Sequence, residues 1–150
     1  MTPHVRLREV EEADLPTLFE HQDDPEANGM ARFDARSRED FVRHWQKILK
    51  DRSNIVRAIE VDGVLVGYIG SWVQDGERDV GYWIGRDHWG HGYATAALAA
   101  LTRELEDRPI LAHVAVGNVG SIRVLEKCGF ERVGASTADD GVGEFLYRLA

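Results

Sequence analysis

Residues 80–94, VGYWIGRDHWGHGYA, constrain this chain more than any other stretch. Val80, Tyr82, Trp83 and Ile84 have the β-branched and aromatic character of a strand. Gly85, Gly90 and Gly92 then form a loop that runs straight into the alanine- and leucine-rich stretch Tyr93 to Leu105, which has helical spacing. A strand, a glycine loop and a helix N-terminus together suit a pyrophosphate. The glycines let the backbone approach, successive N–H groups point at the anion, and the helix dipole adds partial positive charge. A glycine loop alone is a weak signal. A second stretch, Asn118-Val119-Gly120-Ser121 running to Lys127-Cys128-Gly129-Phe130, strengthens it. No Lys-Ser/Thr pair follows the glycines, which argues against a nucleotide phosphotransferase loop.

Charge and cysteine usage narrow the classes. The formal net charge of −8 offers no basic block to neutralise nucleic-acid phosphates and leaves room for a cationic substrate. One cysteine, Cys128, excludes an internal disulfide and fits a reducing, cytoplasmic setting. The start, Met1-Thr2-Pro3-His4, has no basic-then-apolar leader, and no apolar run approaches a membrane span. The 150 residues are expected to form a single domain.

Taken in order, Val5 and Leu7 alternate with Arg6 and Arg8 as a half-buried strand. Asp14 is placed to cap a short helix carrying Leu15, Leu18 and Phe19, with Pro16 in its first turn. Residues 23–36 read as a loop. Ser37 and Asp40 resemble a capping box ahead of Phe41, Trp45, Ile48 and Leu49. Strands at 55–61, 64–73 and 78–84 are joined by Asp62-Gly63 and Asp75-Gly76 turns into an antiparallel meander. A helix with Ala94, Ala97, Leu98, Leu101 and Leu105 on one stripe follows, ended by Asp107 and Pro109. Next come a strand at 110–116, a helix from Asn118 to Lys127 stopped at Gly129, and a hairpin of 130–135 with 144–149 across Asp139-Asp140-Gly141. The expected order is β-α-α-β-β-β-α-β-α-β-β. The unit around 80–116 forms a right-handed crossover between parallel strands. The fold class is therefore α/β, a mixed sheet with helices on both faces.

This order, with Gly81-Tyr82-Trp83-Ile84, Trp89-Gly90-His91-Gly92-Tyr93-Ala94-Thr95 and the run from Asn118 to Phe130, resembles the GNAT superfamily of acyl-CoA-dependent N-acetyltransferases. Within it, the motifs are similar to the RimJ/RimL-like branch of ribosomal-protein N-terminal acetyltransferases. The superfamily loop commonly has Gln or Arg where this chain has Trp89. The resemblance implies acetyl-CoA as cosubstrate, lying along the strand that ends at Trp83 and Ile84. There that strand would splay from its parallel neighbour, and a backbone N–H would polarise the thioester carbonyl. It implies a pyrophosphate cradle of Trp89, Gly90, His91, Gly92, Tyr93 and Ala94. Asn118 caps the second helix and contacts the pantetheine arm, and Lys127 adds to the cofactor site. Ser121 donates a hydrogen bond to the leaving sulfur.

A base for the amine is expected on the strand leading to the cofactor, where Glu77 and Asp79 fall, with His113 as a third candidate. His88 and His91 lie three apart, but no carboxylate stands at ligand spacing and no metal is expected. Cys128 reads as a packed residue rather than a nucleophile. The acceptor would be a primary amine, either a protein N-terminus or a small molecule such as a polyamine or aminoglycoside. Residues 20–50 and the 134–143 turn would shape its site, and a homodimer is possible on this reading. A non-catalytic acyl-CoA-binding module is the alternative.

Overall fold

In a computed structural model of the chain, the described residues are 4–25, 37–137 and 143–150. Among them the order is β1 (Val5–Glu9), α1 (Leu15–Gln22), α2 (Arg38–Lys50), β2 (Ile55–Val61), β3 (Val64–Gln74), β4 (Glu77–Ile84), α3 (Tyr93–Glu104), β5 (Ile110–Ala115), α4 (Val119–Lys127), β6 (Glu131–Thr137) and β7 (Gly143–Leu149). This matches the expected order and the mixed α/β class. The strands lie in one sheet, ordered β1-β2-β3-β4-β5-β7-β6. Most of the expected 23–36 loop and the Asp139-Asp140-Gly141 turn fall outside the described residues.

The meander forms because its turns carry the right residues. Asp62 and Gly63 both take positive φ, 51° and 80°, as do Asp75 and Gly76 at 52° and 79°. Two consecutive left-handed residues make the tight turn whose twist matches paired strands. All pairings are antiparallel except β4 with β5. That parallel pairing covers only Arg78 with Ile110 and Asp79 with Leu111, after which the two strands part.

Two apolar clusters hold the helices to the sheet. On one face Leu98 and Leu101 of α3 and Leu125 of α4 pack on Ile59, Val66, Ile69, Val80, Ile84 and Ile110. On the other, Leu15 and Leu18 of α1 and Phe41 and Trp45 of α2 pack on Ala58. α3 ends at Glu104, three residues short of Asp107. Asp107 instead lies 3.4 Å from the Arg78 guanidinium.

Asp14 corrects the expected cap. Its side chain makes no capping bond to α1. The carboxylate turns back to accept from the Glu11 N–H at 2.8 Å and from two Arg8 nitrogens at 2.9 Å. Arg8 also donates to Glu60 at 2.7 Å. A bidentate ion pair with Arg8 outweighs a single cap bond because it makes two charge-assisted hydrogen bonds to a full positive charge. The result clamps the start of α1 to β1 and β2.

The Arg8 hydrogen bonds hold the Asp14 carboxyl below its usual range, more than burial raises it. Asp14→Asn is expected to cost about 1–2 kcal/mol at neutral pH, since Glu60 still holds Arg8. A depressed folded pKa stabilises fully above the unfolded value of about 3.9, and that contribution fades as pH falls through the folded value. The gap between wild type and variant in urea unfolding should therefore close below about pH 4. A gap that stays constant down to pH 3 would contradict this.

Candidate active site

The parting of β4 and β5 opens a cleft. Gly85 N–H donates to the Val66 carbonyl at 2.9 Å. Antiparallel strands alternate which neighbour a residue's backbone addresses. Gly81, Trp83 and Gly85 therefore turn their backbone toward β3, while Tyr82 and Ile84 turn theirs into the gap. A Cβ built on Gly67 of β3 would run into the Trp83 carbonyl oxygen, which confirms that direction. Of the expected Trp83–Ile84 pair, Ile84 thus offers its N–H to the gap, its carbonyl being taken by the Trp89 indole, and Trp83 offers only its side chain.

At the wide end of the gap stands the N-terminus of α3. Gly92 is its N-cap, with φ 77°, and no side chain caps the helix. The first bond into the helix is Ala96 N–H to the Gly92 carbonyl, 3.1 Å. The preceding amides of the first turn lack intrahelical acceptors, as at any helix start. Replacing a good cap with glycine costs only a few tenths of a kcal/mol. Burying Leu98 and Leu101 contributes about 1.5–3 kcal/mol each. Packing therefore keeps α3 formed while its N–H groups stay bare.

The opposite wall is α4. Asn118 caps it by accepting from Ser121 N–H at 3.3 Å. Gly129, φ 88°, ends it, with Phe130 N–H donating to the Leu125 carbonyl at 3.0 Å. This left-handed cap turns the chain straight into β6.

The cleft has a volume of about 450 Å³. Of the residues singled out in the sequence, Trp83, Ile84, Trp89, Gly90, Gly92, Tyr93, Ala94, Asn118, Ser121 and Lys127 line it. Trp89 spends its Nε1–H on the Ile84 carbonyl at 2.8 Å. It bolts the glycine loop to the strand end.

His91 does not line the cleft. Its ring stacks on Tyr93, with centroids 5.3 Å apart and planes at 23°. His88 does line it, edge-on to the His21 ring at 6.0 Å. The two histidines therefore have different partners. Among the described residues no cluster of His, Cys, Asp and Glu is placed to hold a metal.

The two carboxylates on β4 separate. Glu77 is exposed at the hairpin end, away from the cleft. Asp79 is 3% exposed and sits where β4 and β5 last pair. Its Oδ1 has no hydrogen-bond partner and lies 3.8 Å from His113 Nδ1. Burial pushes the Asp79 carboxyl up, and His113 partly opposes this. Trp83 lies on the same face and donates its Nε1–H to the His21 carbonyl at 3.0 Å. Cys128 is half-buried, with its thiol on the Thr95 carbonyl at 3.4 Å, and burial raises its pKa.

Sequence reasoning passed over one contact in the cleft. The Tyr82 hydroxyl is 2.6 Å from Ser121 Oγ. The two residues are 39 apart in the chain, beyond the reach of any spacing rule.

Residues 4–131 match the acetyltransferase (GNAT) domain model. A putative ribosomal N-acetyltransferase, YdaF of Bacillus subtilis, is 33% identical over 112 residues. That match covers 70% of this chain and 60% of YdaF's length. A GNAT-family acetyltransferase structure from Bacillus anthracis superposes with a TM-score of 0.85 at 22% identity, covering 99% of this chain and 96% of that one. RimL, a ribosomal L7/L12 alpha-N-protein acetyltransferase in complex with coenzyme A, gives 0.83 at 18% identity, over 97% and 93% of the two chains. The chain belongs to the GNAT acetyltransferase family.

Asn118→Ala is expected to lower unfolding stability by about 1 kcal/mol, because it removes the cap of α4. Asn118→Asp should restore most of that loss. Equal midpoints in thermal melts of wild type and Asn118→Ala would contradict the capping role.

Proposed function

We propose that this chain transfers an acetyl group from acetyl-CoA to a primary amine. The observation that carries the reading is the early parting of β4 and β5 beside a helix N-terminus with no capping side chain. The bare amides of Gly92, Tyr93, Ala94 and Thr95 suit a pyrophosphate. Lys127 and Arg123, both lining the cleft, add positive charge beside it. The backbone of Tyr82 and the N–H of Ile84 suit the amides of a pantetheine arm in the gap, as an unpaired strand edge requires. Acetyl-CoA supplies an activated acetyl thioester. A gap-facing N–H of β4 donates to its carbonyl oxygen as charge develops there.

The likeness to YdaF, named a putative ribosomal N-acetyltransferase, and to RimL, an alpha-N-protein acetyltransferase, supports a protein N-terminus as the acceptor. The amine reaches the thioester from the face of β4 that carries Trp83 and Asp79. Asp79, rather than Glu77, accepts the amine proton through water, with His113 beside it. Its place at the last paired position of β4 and β5, where the gap begins, favours it, although its side chain is buried and does not line the cleft. Ser121, on the opposite wall, donates its hydroxyl hydrogen to the sulfur as the C–S bond breaks.

Two measurements test this reading. Coenzyme A should raise the melting temperature of the wild type, since a ligand bound only to the native state stabilises it. Gly92→Glu should abolish that shift by placing a side chain and negative charge at the cradle. Equal shifts in both proteins would overturn the cradle. Thiol release should be followed with a short peptide bearing a free N-terminal serine, spermidine and an aminoglycoside as acceptors. A base must be ionised to accept a proton. kcat/KM should therefore rise with pH through the raised Asp79 value, and Asp79→Asn should flatten that acidic limb. An acidic limb unchanged in Asp79→Asn would remove Asp79 from the mechanism.

A further inference from the structure

Tyr82 lines the cleft with a hydroxyl that faces Ser121 and has no part in the steps above. It stands on β4, on the face toward α3 and α4, and its hydroxyl meets the first turn of α4. It lies 2.6 Å from Ser121 Oγ and 3.2 Å from the Ser121 carbonyl oxygen. Two hydrogen arrangements satisfy this geometry. In one, Tyr82 donates to the carbonyl and Ser121 donates to the phenol oxygen, which ties up the serine hydrogen. In the other, Tyr82 donates to Ser121 Oγ, and the serine hydrogen is free to point into the cleft.

We propose that Tyr82 is a positioning residue that acts through Ser121: by donating to Ser121 Oγ it turns the serine's own hydrogen toward the departing sulfur. This inference rests on the acetyl-transfer reading above. The bonds balance without any net proton transfer along the pair. The N–C bond forms, the C–S bond breaks, and the sulfur leaves with the electron pair. The amine proton goes to Asp79 through water. Tyr82 and Ser121 each keep their proton and share it only as a hydrogen bond. Burial pushes the Tyr82 phenol up to about 12, more than its bond to Ser121 lowers it. An alkyl thiol titrates near 8.5. Proton transfer from the phenol to the thiolate is therefore uphill, and the role assigned to Tyr82 is to polarise the donor that touches the sulfur.

The test is a double-mutant cycle on kcat, using the fastest of the three named acceptors with acetyl-CoA. Ser121→Ala is expected to slow kcat roughly 10- to 150-fold, the range for a hydrogen bond to a developing charge. Tyr82→Phe should slow kcat roughly 3- to 12-fold, as for a neutral bond felt at one remove. The KM for acetyl-CoA and the CoA-induced melting shift should change by less than about twofold. In the Ser121→Ala background, Tyr82→Phe should cause no further slowing. A merely structural tyrosine would lower the melting temperature in both backgrounds and leave kcat of the folded protein unchanged. Unchanged kcat in Tyr82→Phe, or full multiplication of the two defects, overturns the inference while leaving acetyl transfer standing. Wild-type turnover in Ser121→Ala removes both residues from the mechanism. An absence of thiol release from the wild type with all three acceptors overturns the reaction and this inference together.

Discussion

The structure turns on where two parallel strands stop pairing. β4 and β5 share only two registered positions, Arg78 with Ile110 and Asp79 with Leu111. A strand interior normally satisfies its backbone groups on both sides, and leaving them open is costly. Here β4 keeps its bonds to β3 along its length, while its other side opens after Asp79. β5 is not left open, since β7 pairs with it from Ile110 to Ala115. The sheet therefore stays continuous while a gap forms inside it. The gap exposes backbone donors and acceptors at fixed positions on a rigid strand, where a ligand with amide groups can take the place of the missing strand.

Everything around the gap serves to keep it shaped. Leu98 and Leu101 hold α3 in place although its N-terminus has no capping side chain, so the amides there stay available. Asn118 and Gly129 fix both ends of α4 and so fix Ser121. Trp89 ties the glycine loop to the Ile84 carbonyl. Trp72 lies over Gly81, where a Cβ would come within 2.8 Å of its ring. Gly81 thus lets an indole cross the sheet beside Asp79 and Trp83. Asp79 and Trp83 stand on one face of β4 and Tyr82, which meets Ser121, on the other.

Much of this was legible because the signals were local. The Asp-Gly turns, the strand–glycine loop–helix run and the Gly129 stop each depend on neighbouring residues, and each forms where spacing indicates. Less legible were the side chains whose partners a motif does not name. Asp14 has the composition of a cap but is claimed by Arg8 and the Glu11 N–H. His91 sits in the cradle sequence yet spends its ring on Tyr93. Alternation put Glu77 and Asp79 on one face, but only the start of β5 decides which of them lies beside the gap. The Tyr82–Ser121 contact joins a strand to a helix 39 residues later, and strand periodicity alone makes Tyr82 a packing residue.

The central claim is that the missing stretch of strand pairing and the uncapped helix start form one binding surface for coenzyme A. Amide hydrogen exchange resolved by residue, with and without coenzyme A, tests it most directly. The account predicts new protection at the amides of Tyr82 and Ile84 together with Gly92 to Thr95, while Gly81 and Trp83, already bonded to β3, change little. Protection confined to the helix start, or spread evenly over β4 without this alternation, would contradict it.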